Sequence, residues 1–259
     1  MSGLEALLMG ILQGLTEFLP VSSSAHLKLT KLLLGLEDRE SLVVFDLVCH
    51  LGTTCALLLF LREDLLNLLR SQRKKIWLIL IALLPLFPFY FLLKPLRDWA
   101  SQTPLLGYFL IVTGLILFAG QKFRYRRIQS DTFGEKVKDA LWIGTLQATA
   151  LIPGISRSAS TISCAQVLGW EAKEAVRFSF LLSIPTIMGG NSLELLKLTL
   201  HQEQIPISIF SCVLAFIASL SVGFVVIRYA VRFLEKGNLK PFAWYCLILG
   251  TLTTLYFAL

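Results

Sequence analysis

Charge is scarce in this chain. Only 16% of its 259 residues are Asp, Glu, Lys or Arg, where soluble domains carry about 25%. That shortage excludes an ordinary soluble enzyme and a charged disordered chain. Cysteine offers no framework either: Cys49, Cys55, Cys164, Cys212 and Cys246 are odd in number, scattered through apolar stretches and without a CxxC or other ligand spacing. They exclude a disulfide scaffold and read as packing residues. The start of the chain lacks a basic segment, and Gln13 and Glu17 interrupt its apolar run, so no cleaved signal peptide is expected. What is abundant is apolar surface, 55% of the residues, with a mean hydropathy of +0.71. The expectation is one integral membrane domain over 1–259. The net charge of +7 implies no nucleic-acid partner, because cytoplasmic loops of membrane proteins are rich in Lys and Arg.

A hydrocarbon layer about 30 Å thick takes roughly 20 mostly apolar residues per helix. Six stretches approach that length: about 41–61, 76–93, 104–119, 173–190, 206–227 and 241–259. Two more, 5–36 and 139–169, break in the middle at Pro20-Val-Ser-Ser-Ser-Ala-His26 and Pro153-Gly-Ile-Ser-Arg-Ser-Ala-Ser-Thr161. Irregular polar backbone at membrane depth survives only inside protein or beside a wet cavity, so both read as re-entrant helix–loop–helix hairpins. The fold class is therefore all-α, a polytopic bundle of about six spans and two hairpins. Lys and Arg gather in 62–75 (Arg62, Arg70, Arg73, Lys74, Lys75), 120–138 (Lys122, Arg124, Arg126, Arg127, Lys136, Lys138) and 228–240 (Arg228, Arg232, Lys236, Lys240). Alternating spans put these segments on one side, the cytoplasm by the positive-inside rule. The segments 94–103 and 191–205 and both termini then lie outside.

The chain also repeats itself. A shift of 134 residues pairs Ala6, Leu7, Gly10, Leu12 and Gln13 with Ala140, Leu141, Gly144, Leu146 and Gln147. The same shift pairs Ser22, Ser24 and Ala25 with Ser156, Ser158 and Ala159, and Leu34, Gly35, Glu37 and Glu40 with Leu168, Gly169, Glu171 and Glu174; twelve of 35 ungapped positions match. Three spans separate the hairpins, and an odd number inverts the second copy. Inverted repeats of about 1–120 and 135–259 bring two broken tips together inside the bilayer, which is how many secondary transporters build a site. The repeat locates a site without saying whether it moves its ligand or reacts with it.

The first tip offers Gln13, Glu17, Ser22, Ser23, Ser24 and His26. Gln13 and Glu17, at i,i+4, share one helix face. The second offers Ser156, Arg157, Ser158, Ser160 and Thr161, where a restarting helix aims free N–H groups and its positive dipole end at the cavity. A guanidinium grips phosphate bidentately, so the second tip reads as a phosphate cradle. The first holds the inventory of nucleophilic or metal-assisted displacement. Bland roles stand beside these. Membrane serines and threonines pack helices closely, His26 also reads as a satisfied interior histidine, and Glu17 as a proton-coupling carboxylate. Intramembrane ionisable residues are functional by default, which favours Glu17 and Arg157. Asp46 and His50, also i,i+4, have three readings left open: partners of the site's residues, a polar pair between helices, or residues at the outer interface.

Leu12-Gln-Gly-Leu-Thr-Glu-Phe-Leu-Pro-Val-Ser-Ser-Ser-Ala-His26 resembles the signature of the undecaprenyl-diphosphate phosphatase, or bacitracin-resistance protein, family. The Pro153–Thr161 motif resembles that family's Pro-Gly-x-Ser-Arg-Ser-x-x-Thr, and Phe178-Ser-Phe-Leu-Leu-Ser-Ile-Pro185 its following helix. The resemblance covers nearly the whole chain. It implies hydrolysis of the C55 isoprenoid diphosphate to the monophosphate, recycling the carrier lipid for peptidoglycan synthesis and conferring bacitracin resistance. It also implies a multi-pass protein of the bacterial inner membrane with an extracytoplasmic site and a divalent cation, Mg2+ or Ca2+. Carried over by motif, Glu17 binds the metal, with Gln13, or acts in acid/base chemistry. Ser23 or His26 is the nucleophile or its activator, beside Ser22 and Ser24. Arg157 holds the diphosphate with Ser156, Ser158 and Thr161. The chain departs from the common pattern at Gln13 (often Glu), Ala25 and Ala159 (glycines) and Arg177 (Glu).

A C55 chain cannot leave the bilayer, so its enzyme opens sideways to lipid while the diphosphate meets water. The main rival function is a transporter or flippase for a polyprenyl phosphate lipid, which needs the Arg157 clamp but no nucleophile; a structural scaffold leaves Glu17 and Arg157 unexplained. The nucleophile (Ser23, His26 or water) and the oligomeric state, a homodimer included, stay open at this stage.

Overall fold

A computed structural model describes residues 2–36, 42–125, 132–200 and 208–259. Glu37, Glu40 and Ser41, Arg126 and Arg127, and the first residues of the 206–227 stretch lie outside the described residues. Among the described residues there is helix and no strand. The order is α1 Gly3–Thr16, α2 Ser23–Leu33, α3 Leu42–Phe60, α4 Arg62–Ser71, α5 Arg73–Leu83, α6 Leu86–Leu92, α7 Lys94–Ala100 and α8 Leu106–Phe123. Then come α9 Phe133–Ala148, α10 Arg157–Val167, α11 Ala172–Leu200, α12 Ile209–Leu234 and α13 Lys240–Ala258, with 3-10 turns at Thr103–Leu105 and Thr149–Leu151. Five stretches are long and apolar enough to cross a membrane: Leu42–Phe60, Arg73–Leu92, Thr103–Phe123, Ile209–Leu234 and Lys240–Ala258. This is a multi-pass helical membrane protein, and large apolar side chains such as Ile217, Val225, Ile248 and Leu252 point outward along its helices.

The sixth expected stretch lies within α11, whose 29 residues reach about 43 Å at 1.5 Å per residue, more than the hydrocarbon layer. It is less apolar than the others because one face is polar and turned inward: Ser179 meets Thr161, Thr186 donates to Leu182 and Gln147, and Asn191 donates to the Leu47 carbonyl. Several segments expected as loops are helical. Residues 62–71 form the amphipathic α4, 94–100 form α7, and α12 carries Arg228 and Arg232 on its last turns. A helix satisfies its own backbone wherever it lies, so it need not stop at the hydrocarbon boundary. The 76–93 stretch is two helices, because Pro85 has no N–H to continue the ladder.

Both broken hairpins are set up by their sequence. α1 and α9 each start with a capping box: Ser2 and Glu5 exchange bonds, as do Thr132 and Glu135. α1 and α9 then stop at Thr16 and Ala148, after 14 and 16 residues, and α2 and α10 have 11 each. None is long enough alone to cross the hydrocarbon. α2 and α10 start 134 residues apart, at Ser23 and Arg157, and α8 and α13 at the same offset, at Leu106 and Lys240. Packing follows suit: α1 lies on α12 as α9 lies on α5, α3 on α12 as α11 on α5, and α8 and α13 lie on each other. Small residues allow these close approaches. A Cβ on Gly10 or Gly14 would run into the Ala215–Gly223 stretch of α12, and one on Gly144 into the Ala82 carbonyl of α5.

Candidate active site

The chain turns twice to form the site. After α1, Pro20 forbids helical backbone before it, and Ser22 takes φ 69°, the one positive φ of a non-glycine among the described residues. That left-handed turn is disfavoured for a residue with a Cβ; it reverses the chain and starts α2 at Ser23 with its first N–H groups free. The second tip runs through Pro153 and Gly154 (φ 99°) to Ser156, whose Oγ caps α10 by accepting from Ala159 N. Thr113 on α8 clamps this turn: its hydroxyl donates to the Gly154 carbonyl at 2.9 Å and accepts from Ser156 N at 3.0 Å.

The tips meet. Arg157 Nη2 donates to Glu17 Oε1 at 3.0 Å, and Ser158 Oγ to the Leu19 carbonyl at 3.3 Å. Glu17 Oε2 accepts from Gln13 Nε2 at 3.0 Å and from Ser23 Oγ at 2.7 Å. The Gln13 amide nitrogen also donates to His50 Nδ1 at 2.9 Å. His50 Nδ1 also lies 3.5 Å from the Glu17 carboxylate. One buried carboxylate is thus gripped by a guanidinium, an amide and a hydroxyl, with an imidazole alongside.

A cavity of about 230 Å³ opens over this cluster, lined by Glu17, Ser22, Ser23, Ser24, His50, Ser156, Arg157, Ser158 and Asn191, with Leu19, Ala150, Ile155, Ile187 and Gly190. Two buried polar atoms of the cluster have no hydrogen-bond partner in the protein: Arg157 Nη1, a donor on a residue that lines the cavity, and Gln13 Oε1, an acceptor behind it. An unpaired buried guanidinium nitrogen beside two helix N-termini is a place for an anion. Gln13 turns its amide nitrogen, not this oxygen, to the Glu17 carboxylate.

Most expected site residues therefore converge, but Gln13, His26 and Thr161 do not line the cavity. His26 turns away from Glu17. Its Nδ1 bonds the Ser22 carbonyl, its Nε2 bonds the Tyr245 hydroxyl at 2.7 Å, and its ring stacks on Tyr245. Thr161 sits one turn behind Arg157, donating to the Arg157 carbonyl and meeting Ser179 Oγ at 2.6 Å, which ties α10 to α11. The histidine at the carboxylate is His50, whose place the sequence left open. Its i,i+4 neighbour Asp46 instead pairs with Lys31. Asn191, Thr113 and Tyr245 had no expected role. Asn191 reads in sequence as the start of an outer loop, and a polar residue directly after the Gly189-Gly190 pair was the signal to question that.

Fold and site together define a class: a polytopic membrane protein whose two broken hairpins join around a buried Glu–Arg pair under a small polar cavity. The sequence profile of the bacitracin resistance protein BacA family matches residues 6–252, and the chain belongs to that family. The undecaprenyl-diphosphatase of Protochlamydia amoebophila (strain UWE25) is 41% identical over 255 residues, 98% of each chain. That of Carboxydothermus hydrogenoformans is 35% identical over 257 residues, 96% of this chain and 95% of the relative. That of Desulforudis audaxviator is 36% identical over 270 residues, 100% of this chain and 99% of the relative.

Proposed function

We propose that this protein is an undecaprenyl-diphosphatase, releasing phosphate from the C55 isoprenoid diphosphate and so recycling a carrier lipid for peptidoglycan synthesis. The observation that carries it is the Arg157 guanidinium, which gives one nitrogen to Glu17 and keeps the other unpaired under a cavity bounded by the starts of α2 and α10. In this position it neutralises the phosphoryl oxygens as charge builds on them. Ser23 Oγ, 2.7 Å from Glu17 Oε2, attacks the terminal phosphorus while Glu17 takes its proton. The phosphoanhydride P–O bond breaks, undecaprenyl phosphate leaves, and water then releases phosphate from Ser23, with Glu17 again holding the proton that moves. A carrier for the same lipid needs the clamp but not a hydroxyl held on a carboxylate, and this favours chemistry over transport.

A divalent cation, Mg2+ or Ca2+, is part of this proposal. Glu17 would hold it through its carboxylate, and Gln13 through Oε1 once the amide, whose nitrogen faces Glu17, turns over; a site with one carboxylate suits an ion that completes its shell with substrate phosphates and water. When bound, it supplies charge neutralisation on the phosphoryl oxygens.

The cavity faces the extracytoplasmic side of the bacterial inner membrane. Supporting this, Arg177 near the start of α11 pairs with Asp64 of α4 and Glu235 after α12, in the basic segments assigned to the cytoplasm. The cavity-lining Asn191 lies about 21 Å further along the same helix. The common 134-residue offset of α2 with α10 and of α8 with α13 supports a single domain of two inverted copies, about 1–120 and 135–259.

The test is phosphate release from undecaprenyl diphosphate by purified protein, with Mg2+, with Ca2+ and with chelator, together with acid quench to trap phosphate on Ser23. Release that needs the cation, and a trapped phosphoserine lost in Ser23→Ala, is the expected result. Release with no trapped species and an active Ser23→Ala would assign the attack to water instead.

A further inference from the structure

The catalytic cavity is sized for a diphosphate, and the apolar part of the lipid needs its own path. A second cavity, of about 430 Å³, lies between α6 and α11. Gly190 lines both cavities, and Leu151 and Thr186 of the second directly follow or precede Ala150 and Ile187 of the first. Its other walls include Phe87 and Phe91, which are exposed at the outer face of α6, and Leu193. The groove is thus mostly apolar, with Tyr90, Thr186 and Glu194 as its polar members, has exposed Phe87 and Phe91 along one side, and adjoins the cavity above Arg157 at their shared Gly190.

Sequence makes this groove. Pro185 interrupts the hydrogen-bond ladder inside α11, and Gly189 and Gly190 then present a face with no side chain; a Cβ built on either meets no atom within 4 Å. Glycine in a helix interior weakens it, and no close helix approach explains these two, unlike Gly10 or Gly144. Bare backbone facing an open channel is what a bulky chain requires.

We propose that the groove between α6 and α11 holds the first isoprene units of the polyprenyl diphosphate, and that the bare face at Gly189 and Gly190 admits them. This rests on the diphosphatase function proposed above. The occupant is the substrate's own chain because the groove ends at the anion site: one molecule with a diphosphate at one end and an apolar chain behind it fills both spaces. Lipid tails are as apolar as the groove wall, so the groove selects by shape: it gives the chain room beside the diphosphate in ground state and transition state alike, and filling it weakens both equally.

Gly189→Phe fills the groove without touching the catalytic cavity, and the open space at Gly189 lets the variant fold. Its KM for undecaprenyl diphosphate rises about tenfold or more, with kcat nearly unchanged. Ile248→Phe, on the outward face of α13, leaves KM as in the wild type. A diazirine-bearing polyprenyl diphosphate labels Phe87, Phe91 or Leu193 in the wild type, and Gly189→Phe or excess unlabelled polyprenyl diphosphate suppresses the label, while phosphatidylglycerol does not. Wild-type KM in Gly189→Phe, or label found elsewhere, overturns the groove and leaves the diphosphatase standing. Equal suppression by phosphatidylglycerol makes the groove a general acyl-chain cleft and also overturns it. Groove labelling by a wild-type protein that releases no phosphate keeps the groove and overturns the diphosphatase.

Discussion

Glu17 is held by three donors from three parts of the chain, Gln13 on its own helix, Ser23 across the first tip and Arg157 from the second. Removing either charge of a buried pair strands the other, and in the proposed reaction it also removes a group that acts on the substrate. Glu17→Ala and Arg157→Ala therefore each lower phosphate release by about 10²–10³-fold, with the helical circular dichroism of the purified protein unchanged. Arg157→Lys fails similarly, because a point charge cannot serve Glu17 and a phosphate with one planar fork. The two histidines separate by their neighbours. His50→Ala removes the partner of one Gln13 N–H and loosens the carboxylate, lowering turnover about tenfold or more, equivalent to roughly 1.4 kcal/mol on the barrier. Tyr245→Phe, which removes only the outer bond to His26, changes it less; the reverse ranking in phosphate-release assays would return His26 to the centre of the chemistry.

Among the elements, the second tip depends on a neighbour more than on itself. Its turn is fastened by the Thr113 hydroxyl, buried on α8, which bonds both the Gly154 carbonyl and the Ser156 N–H. Thr113→Val keeps the shape and removes both bonds, leaving two buried backbone groups without a partner at about 1–3 kcal/mol each. The expected outcome is a lower melting temperature together with a loss of turnover, since Arg157 directly follows the fastened turn. An unchanged melting curve and unchanged kinetics would show that the turn holds without α8. The first tip is held at its carbonyls instead, by Ser158 Oγ on Leu19, Cys246 Sγ on Pro20 and His26 Nδ1 on Ser22, together with Ser23 on Glu17.

For the whole molecule, the proposed outward placement of the cavity rests on the charge pattern. Arg177 pairs with Asp64 and Glu235 in the basic segments assigned to the cytoplasm, and the cavity-lining Asn191 lies about 21 Å further along α11. In a background without the five natural cysteines, Ser71→Cys is labelled by an impermeant maleimide only from the cytoplasm and Ser101→Cys only from outside. Labelling of both from one side would undo the topology and with it the outward-facing site.

Much of this was legible in the sequence. Run length and polarity mark the spans, since a bilayer core demands a fixed apolar length. The breaks at Pro20 and Pro153 mark the hairpins, because proline denies the ladder its donor. Within one helix spacing suffices: Gln13 and Glu17, four residues apart, do share a bond. Contacts between helices were another matter. Whether His26 or His50 reaches Glu17 depends on how α2 and α3 are rotated against α1, and no periodicity in one segment reports the rotation of another. Thr113, Tyr245 and Asn191 escaped notice because each looks, in its own segment, like an ordinary polar residue of a membrane helix or its end. The sequence by itself determined the class of fold, the two tips and the residue types they carry, since these follow from local backbone and solvation rules. Only the tertiary structure decided which imidazole stands at the carboxylate, what fastens the second tip and where a groove runs beside the site, because those are set by packing between segments far apart in the chain.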